Sequence, residues 1–262
     1  MQVAVMLQHA NPYRHAATNH PRAVLHDVKW GHAACPTCTL RDLCVAEGLD
    51  AQTLGQIDEL VTARIRLRKG EAVFRAGDRF TSLYAIRSGS CKTVAPSEDG
   101  HDQVAGYHMP GEIIGTDGIG TDRHGCEAVA LEDTEVCAMP FDRMETLSRQ
   151  NIDFQHNLHR LLAREIARER AVMLLLGTML AERRLAVFLL DLAHRYQTRG
   201  YSSCEFVLRL TREEIGSYLG LKLETVSRLF SRFQRDGFLQ VQGRIVKLLD
   251  RASLKRLIES SD

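Results

Sequence analysis

Between Gln155 and Glu182 the apolar residues Leu162, Ile166, Met173, Leu176 and Leu180 recur with Glu169 on the remaining rung, so the spacing alternates four and three. That alternation is the seam of a two-stranded coiled coil. A helix with so narrow an apolar stripe has little to bury inside its own domain, and the partner it asks for is a second copy related by a two-fold axis. Residues 154–182 are therefore expected to form a dimerisation helix, with Leu162, Ile166, Glu169, Met173 and Leu176 at the interface. On the axis, Glu169 would bring two carboxylates together, and uncompensated buried charge is costly enough to make the dimer conditional. The alternative sets Glu169 at the rim, paired with Arg168, Arg170 or Arg164 of the partner subunit.

The 262 residues carry a net charge of +1, so any affinity for nucleic acid must come from a local basic patch. No apolar run approaches the roughly 18 residues that span a bilayer, and the N-terminus lacks a signal-peptide pattern, so the chain is expected to be cytoplasmic, without a membrane partner. Seven cysteines, an odd number in a chain without an export signal, argue against a disulfide framework and for metal, redox chemistry or burial. Residues 1–34 are polar, and His9, His15, His20, His26 and His32 follow no helical or strand period. A mobile tail is expected there. Cys35, Cys38 and Cys44 then make a C-x2-C-x5-C head over residues 35–48. Zinc and iron-sulfur centres both take thiolates, usually four, so one more ligand must come from Cys91, Cys126, Cys137 or Cys204. Spacing decides neither the ligand nor the metal. A dithiol catalyst would need a βαβ unit after the C-x2-C, and none follows.

Over residues 49–153, Ala51 to Ala63 reads as a helix with Leu54, Ile57, Leu60 and Val61 on one face. Glycine turns at Gly70, Gly77, Gly89, Gly100 and Gly111 then separate short apolar alternations, which means many short strands closing into an antiparallel roll. In residues 183–262, Leu185, Phe188, Leu189 and Leu192 mark a buried helix. Thr211 and Glu214 form a capping box. Gly216 lets two helices approach, Gly220 supplies the turn, and Val226 points between them, which is a helix-turn-helix. Lys222, Arg228, Arg232 and Arg235 on this unit, with Arg244 and Lys247 on a hairpin wing from Phe238 to Leu248, provide the local patch that double-stranded DNA requires. Neither G-x-x-x-x-G-K-[ST] nor G-x-S-x-G occurs, and the histidines crowd into the tail, so an enzyme is not expected. The fold class is α+β: a roll, a long helix and a winged helix-turn-helix.

Lys69-Gly70-Glu71, Phe74 to Asp78, Leu83 to Gly89 and Pro110 to Gly115 resemble the cyclic-nucleotide-binding roll of the CRP/FNR superfamily of transcription regulators. Members that bind cyclic AMP hold its phosphate with an arginine followed by serine or threonine. Here His124-Gly125-Cys126-Glu127 stands in that place, and glycine cannot replace a guanidinium fork, so this roll is expected to bind no nucleotide. The closer resemblance is to the oxygen-sensing FNR subgroup. It implies a 4Fe-4S cluster on Cys35, Cys38, Cys44 and Cys137, the last within Glu135 to Phe141, with Cys126 as the fallback ligand and Leu43 shading the cluster. The resemblance implies cluster-dependent dimerisation, with oxygen converting 4Fe-4S to 2Fe-2S; the heptad spacing adds the expectation that the Glu169 pair then separates the homodimer. The subgroup's Glu-x-x-Ser-Arg motif matches Glu224, Ser227 and Arg228, which implies a TTGAT-type palindrome, and surface loops such as Ser97 to His101 are expected to meet RNA polymerase. A regulator of the same fold with a zinc, heme or small-molecule effector is the alternative.

Overall fold

The computed structural model describes residues 35–96 and 102–259. The tail at 1–34 and the Ser97 to His101 loop lie outside the described residues. The chain divides into two compact units, Met1–Arg164 and Glu165–Asp262, and the division falls within the helix Ile152–Thr178. Among the described residues no helix is long and apolar enough to cross a membrane.

In the first unit, the cysteine segment makes two short 3-10 turns, Cys35–Thr37 and Arg41–Leu43. Helix α1 (Ala51–Leu60) starts at Asp50, whose carboxylate accepts the Thr53 N–H at 2.7 Å. It stops short of the patterned Ala63, because that residue opens strand β1 (Ala63–Leu67). The remaining strands are β2 (Ala72–Phe74), β3 (Ser82–Ser88), β4 (Cys91–Ala95), β5 (Gln103–His108), β6 (Ile113–Ile114), β7 (Glu127–Ala130) and β8 (Thr134–Pro140). They pair antiparallel as two four-stranded sheets, β1-β8-β3-β6 and β2-β7-β4-β5. This is the roll that the glycine spacing implied.

The pleat of β8 assigns its side chains to two cores. Val136 and Ala138 pack with Ile65, Phe74, Ile86 and Ala128. Cys137 and Met139, one position along, fall on the opposite face with Leu83, Ala85, Ile57 and Leu60. Helix α2 (Phe141–Gln150) and the start of α3 (Ile152–Thr178) close this second core through Met144, Leu147, Phe154 and Leu158.

The second unit holds the rest of α3, then α4 (Ala181–Thr198), β9 (Glu205–Val207), α5 (Arg212–Leu219), α6 (Leu223–Arg235), β10 (Leu239–Gln242), β11 (Ile245–Leu248) and α7 (Arg251–Glu259). The wing is a three-stranded sheet, β10-β11-β9, whose short third strand the sequence pattern did not announce.

The seam helix ends at Thr178 and does not run to Glu182. The Arg184 guanidinium donates to the Leu176 carbonyl at 2.7 Å and to the Met179 carbonyl at 2.8 Å, taking acceptors that a continuing helix would offer to backbone N–H groups four residues on. Gly177 and the back-bonding Thr178 hydroxyl, 2.8 Å from the Leu174 carbonyl, weaken the same turn. Leu180 therefore leaves the seam and becomes the N-cap of α4.

Thr211 and Glu214 form the reciprocal capping box, with bonds of 3.1 and 2.6 Å. A Cβ at Gly216 would lie 2.5 Å from the Leu221 carbonyl oxygen. Gly216→Ala is accordingly expected to cost about 1–3 kcal/mol through overpacking, more than the roughly 1 kcal/mol of Thr211→Ala; urea unfolding of the two variants checks the order.

Candidate functional site

Cys35, Cys38, Cys44 and Cys137 line one cavity, walled by Leu40, Val45, Ile57, Val61, Ala85 and Met139 among others. Cys137 stands opposite Arg64 of β1 and Ala85 of β3. Of the three N-terminal thiols, Cys35 opens the first 3-10 turn, Cys38 follows it and Cys44 caps the second, and the segment is fixed at one end by Asp58 of α1, which accepts the Cys35 N–H at 2.9 Å. At the other end Asn157 of α3, itself buried, donates to the carbonyls of Val45 (3.2 Å) and Glu47 (2.6 Å). Arg164 of α3 adds an ion pair to Glu47 at 2.9 Å. Gly111 (φ 89°) lets the neighbouring turn press on Leu43, where a Cβ would come within 2.7 Å of the leucine Cβ. Cys126 sits apart beside Asp117, Cys91 is buried in the roll, and Cys204 lies exposed in the second unit.

The cavity is hostile to bare thiolates. Burial, then the Asp58 carboxylate and its hydrogen bond, push Cys35 up to about 12. Burial lifts Cys44 to about 11 against the opposing Val45 N–H. Cys137 is also raised by burial, with Arg64 and Arg87 pulling the other way. Thiolates are the ligand form, so these sulfurs ionise together only around a cation that offsets their charge. Arg64 Nε, buried and without a hydrogen-bond partner among the described residues, is a spare donor on the strand beside Cys137. Four soft donors in an apolar wall fit zinc or an iron-sulfur cluster. Among the described residues no three Cys, His, Asp or Glu side chains are already gathered tightly enough to chelate an ion.

On α6, Val226, Phe230 and Phe233 are buried, which turns Glu224, Ser227 and Arg228 outward on one exposed face. The Arg212 guanidinium lies 3.1 Å from the Phe230 ring centroid and locks α5 to α6. Burial pulls its pKa down to about 10, which still leaves it cationic at neutral pH. Arg184 reaches the Leu219 carbonyl at 3.0 Å, and Glu182 binds Arg232 at 2.6 Å, so the start of α4 grips both reading helices. Sequence reasoning missed Arg184, Arg212 and Asn157. For Asn157 a signal existed: one amide among the apolar positions Phe154, Leu158 and Leu161.

The seam residues divide. Ile166 (50% exposed) and Met173 (71%) stand at the surface with Glu169, whereas Leu162 packs on the first unit's core and Leu176 is half-buried.

The cyclic nucleotide-binding domain family matches residues 64–151, and the Crp-like helix-turn-helix domain family matches residues 183–257. The transcriptional regulatory protein btr of Bordetella pertussis is 46% identical over 226 residues, 86% of this chain and 93% of that protein. The chain belongs to the CRP/FNR family. It is a transcription regulator with a DNA-binding domain and not an enzyme. Other CRP/FNR relatives include the transcriptional activator protein anr of Pseudomonas aeruginosa, 42% identical over 85% of this chain and 91% of its own length. The fumarate and nitrate reduction regulatory protein of Yersinia pestis is 40% identical over 85% of this chain and 89% of its own. Among solved CRP/FNR structures, FixK2 of Bradyrhizobium japonicum superposes with a TM-score of 0.70 at 28% identity, covering 76% of this chain and 98% of that one.

In metal-free protein at pH 8, Cys35 and Cys44 are expected to react with iodoacetamide at least about tenfold more slowly than the exposed Cys204, because the thiolate is the nucleophile; peptide mass mapping of a time course measures the three rates.

Proposed function

We propose that this CRP/FNR regulator is an anaerobic one, holding a 4Fe-4S cluster on Cys35, Cys38, Cys44 and Cys137 and binding a TTGAT-type palindrome as a homodimer. The observation that carries it is the common cavity lined by these four thiols, next to the backbone that Asn157 ties to α3. When bound, a 4Fe-4S cluster supplies an oxygen-labile cross-link among four thiolates. Around a bound cluster the three N-terminal thiols would be drawn onto Cys137, which lies on a strand paired on both sides. Asn157 and Arg164 then pass the position of the segment after Cys44 to the helix that carries Ile166, Glu169 and Met173. The exposure of Ile166, Met173 and Leu174 (66%) in the single chain supports a second copy as their cover. Across that seam the Glu169 pair opposes association, so dimerisation depends on the cysteine segment being held. On DNA, Arg228 suits guanine O6 and N7, Glu224 a cytosine amine, and Ser227 a thymine or phosphate. The names of the anr and fumarate and nitrate reduction relatives point the same way.

Under nitrogen the protein is expected to purify brown, to contain iron and acid-labile sulfide, and to bleach in air. Cys137→Ser should lose iron and operator occupancy together, and a variant keeping both would refute the ligand set. Arg228→Ala should forfeit about 1–3 kcal/mol of specific binding with the cluster intact, read as operator footprints against nonspecific competitor. Glu169→Ala should remain dimeric in air by light scattering; a monomer there removes the repulsion.

A further inference from the structure

The roll contains a second constellation that neither the cysteine cavity nor the DNA-reading face uses. Gly115, with φ 98°, turns the chain out of β6 into the 3-10 turn Thr116–Gly118. That turn delivers the Asp117 carboxylate to a set of convergent donors. The backbone N–H groups of Gly125 (2.7 Å) and Cys126 (3.1 Å) donate to Oδ2, and the Cys126 thiol donates to the same oxygen at 3.3 Å. His124 Nδ1 faces the other oxygen at 3.4 Å. His124 is itself buried, stacked flat on Phe74 with ring centroids 3.7 Å apart and met edge-on by Phe80. Its backbone is pinned from both sides, the N–H donating to the Asp78 carbonyl at 2.9 Å and the carbonyl accepting the Gly77 N–H at 2.7 Å.

Two successive backbone N–H groups aimed at one point, flanked by further donors, form an anion nest. Here the anion comes from the chain. Burial by itself would raise the Asp117 carboxyl, yet the bonds from His124 and Cys126 more than offset it and hold the group below the usual carboxylate range. The nest lies within the stretch matched by the cyclic nucleotide-binding domain family, whose named ligand carries a phosphate.

We propose that Asp117 is a built-in surrogate for a phosphate: its carboxylate occupies the anion nest of Gly125, Cys126 and His124 and holds the roll in its anion-bound form without any nucleotide. A tethered carboxylate has an effective concentration that free anions in the millimolar range do not match, so the nest in the native chain is closed to them. Removing the side chain opens it to phosphate-class anions. This inference does not depend on the cluster.

The test compares the anaerobically purified full-length protein with Asp117→Ala and Asp117→Asn, by thermal unfolding in rising inorganic phosphate against chloride at matched ionic strength. Asp117→Ala should melt roughly 3–8 °C below the native chain in chloride and regain at least half of that loss, saturably, in phosphate. The native chain and Asp117→Asn should respond to phosphate no more than to chloride, and Asp117→Asn should melt between the other two, since its amide oxygen keeps the shape and loses the charge. An Asp117→Ala protein with no phosphate response beyond the native chain's would overturn the proposal. A saturable phosphate response in the native chain would do so as well. Should Asp117→Ala fail to fold in either salt, Asp117→Asn decides: a melting point equal to the native one means that charge in the nest is irrelevant and the surrogate reading is lost.

Discussion

Strand β8 must serve two cores at once, and the rest of the first unit is arranged around that demand. Its even-numbered apolar residues close the roll, while Cys137 and Met139 face the helices. A slip of one residue would exchange the two sets, sending a thiol into the roll and an alanine toward the cysteine segment. Pairing with β1 on one side and β3 on the other opposes that slip and fixes the register of Cys137. The three remaining thiols sit in or directly after two short 3-10 turns held by side-chain anchors. A thiol on a strand paired on both sides thus faces three thiols on a segment that side chains of α1 and α3 anchor.

The anchors themselves connect that segment to the long helix. Asn157 places a donor pair under the carbonyls of Val45 and Glu47, and breaking such a buried contact leaves two acceptors unsatisfied at about 1–3 kcal/mol apiece. Further along, the second unit uses another side chain for the same purpose. Arg184 collects carbonyls from the end of α3 and from α5, so the helix that carries the seam cannot end without touching the reading head. Both devices use one polar side chain to hold backbone carbonyls outside its own helix, and both are insensitive to the identity of the residues whose carbonyls they take.

In the roll, one carboxylate ties the turn after β6 to the stretch that precedes β7. The glycine at φ 98° brings the Asp117 carboxylate onto the N–H groups of Gly125 and Cys126, and the His124 imidazole stacks on Phe74 beside it. Both backbone donors are thereby satisfied.

Much of this could be read from residue order. Period-two alternation in Thr134 to Pro140, the glycine spacing, the capping box and the close approach at Gly216 are local, and local sterics fix them wherever the chain goes. The outward face of Glu224, Ser227 and Arg228 followed from the same helical period that buries Val226 and Phe230. What sequence left open was which thiols meet, where the seam helix stops and what fills the nest. Those were decided by side chains acting across the fold: Asp58 and Asn157 on the cysteine segment, Arg184 on the carbonyls of Leu176 and Met179, Asp117 on the N–H groups of Gly125 and Cys126. A periodic pattern reports only a residue's own surroundings in its helix or strand, whereas a hydrogen bond to a distant backbone carbonyl or N–H leaves no trace in the identity of its acceptor or donor, because every residue but proline offers both.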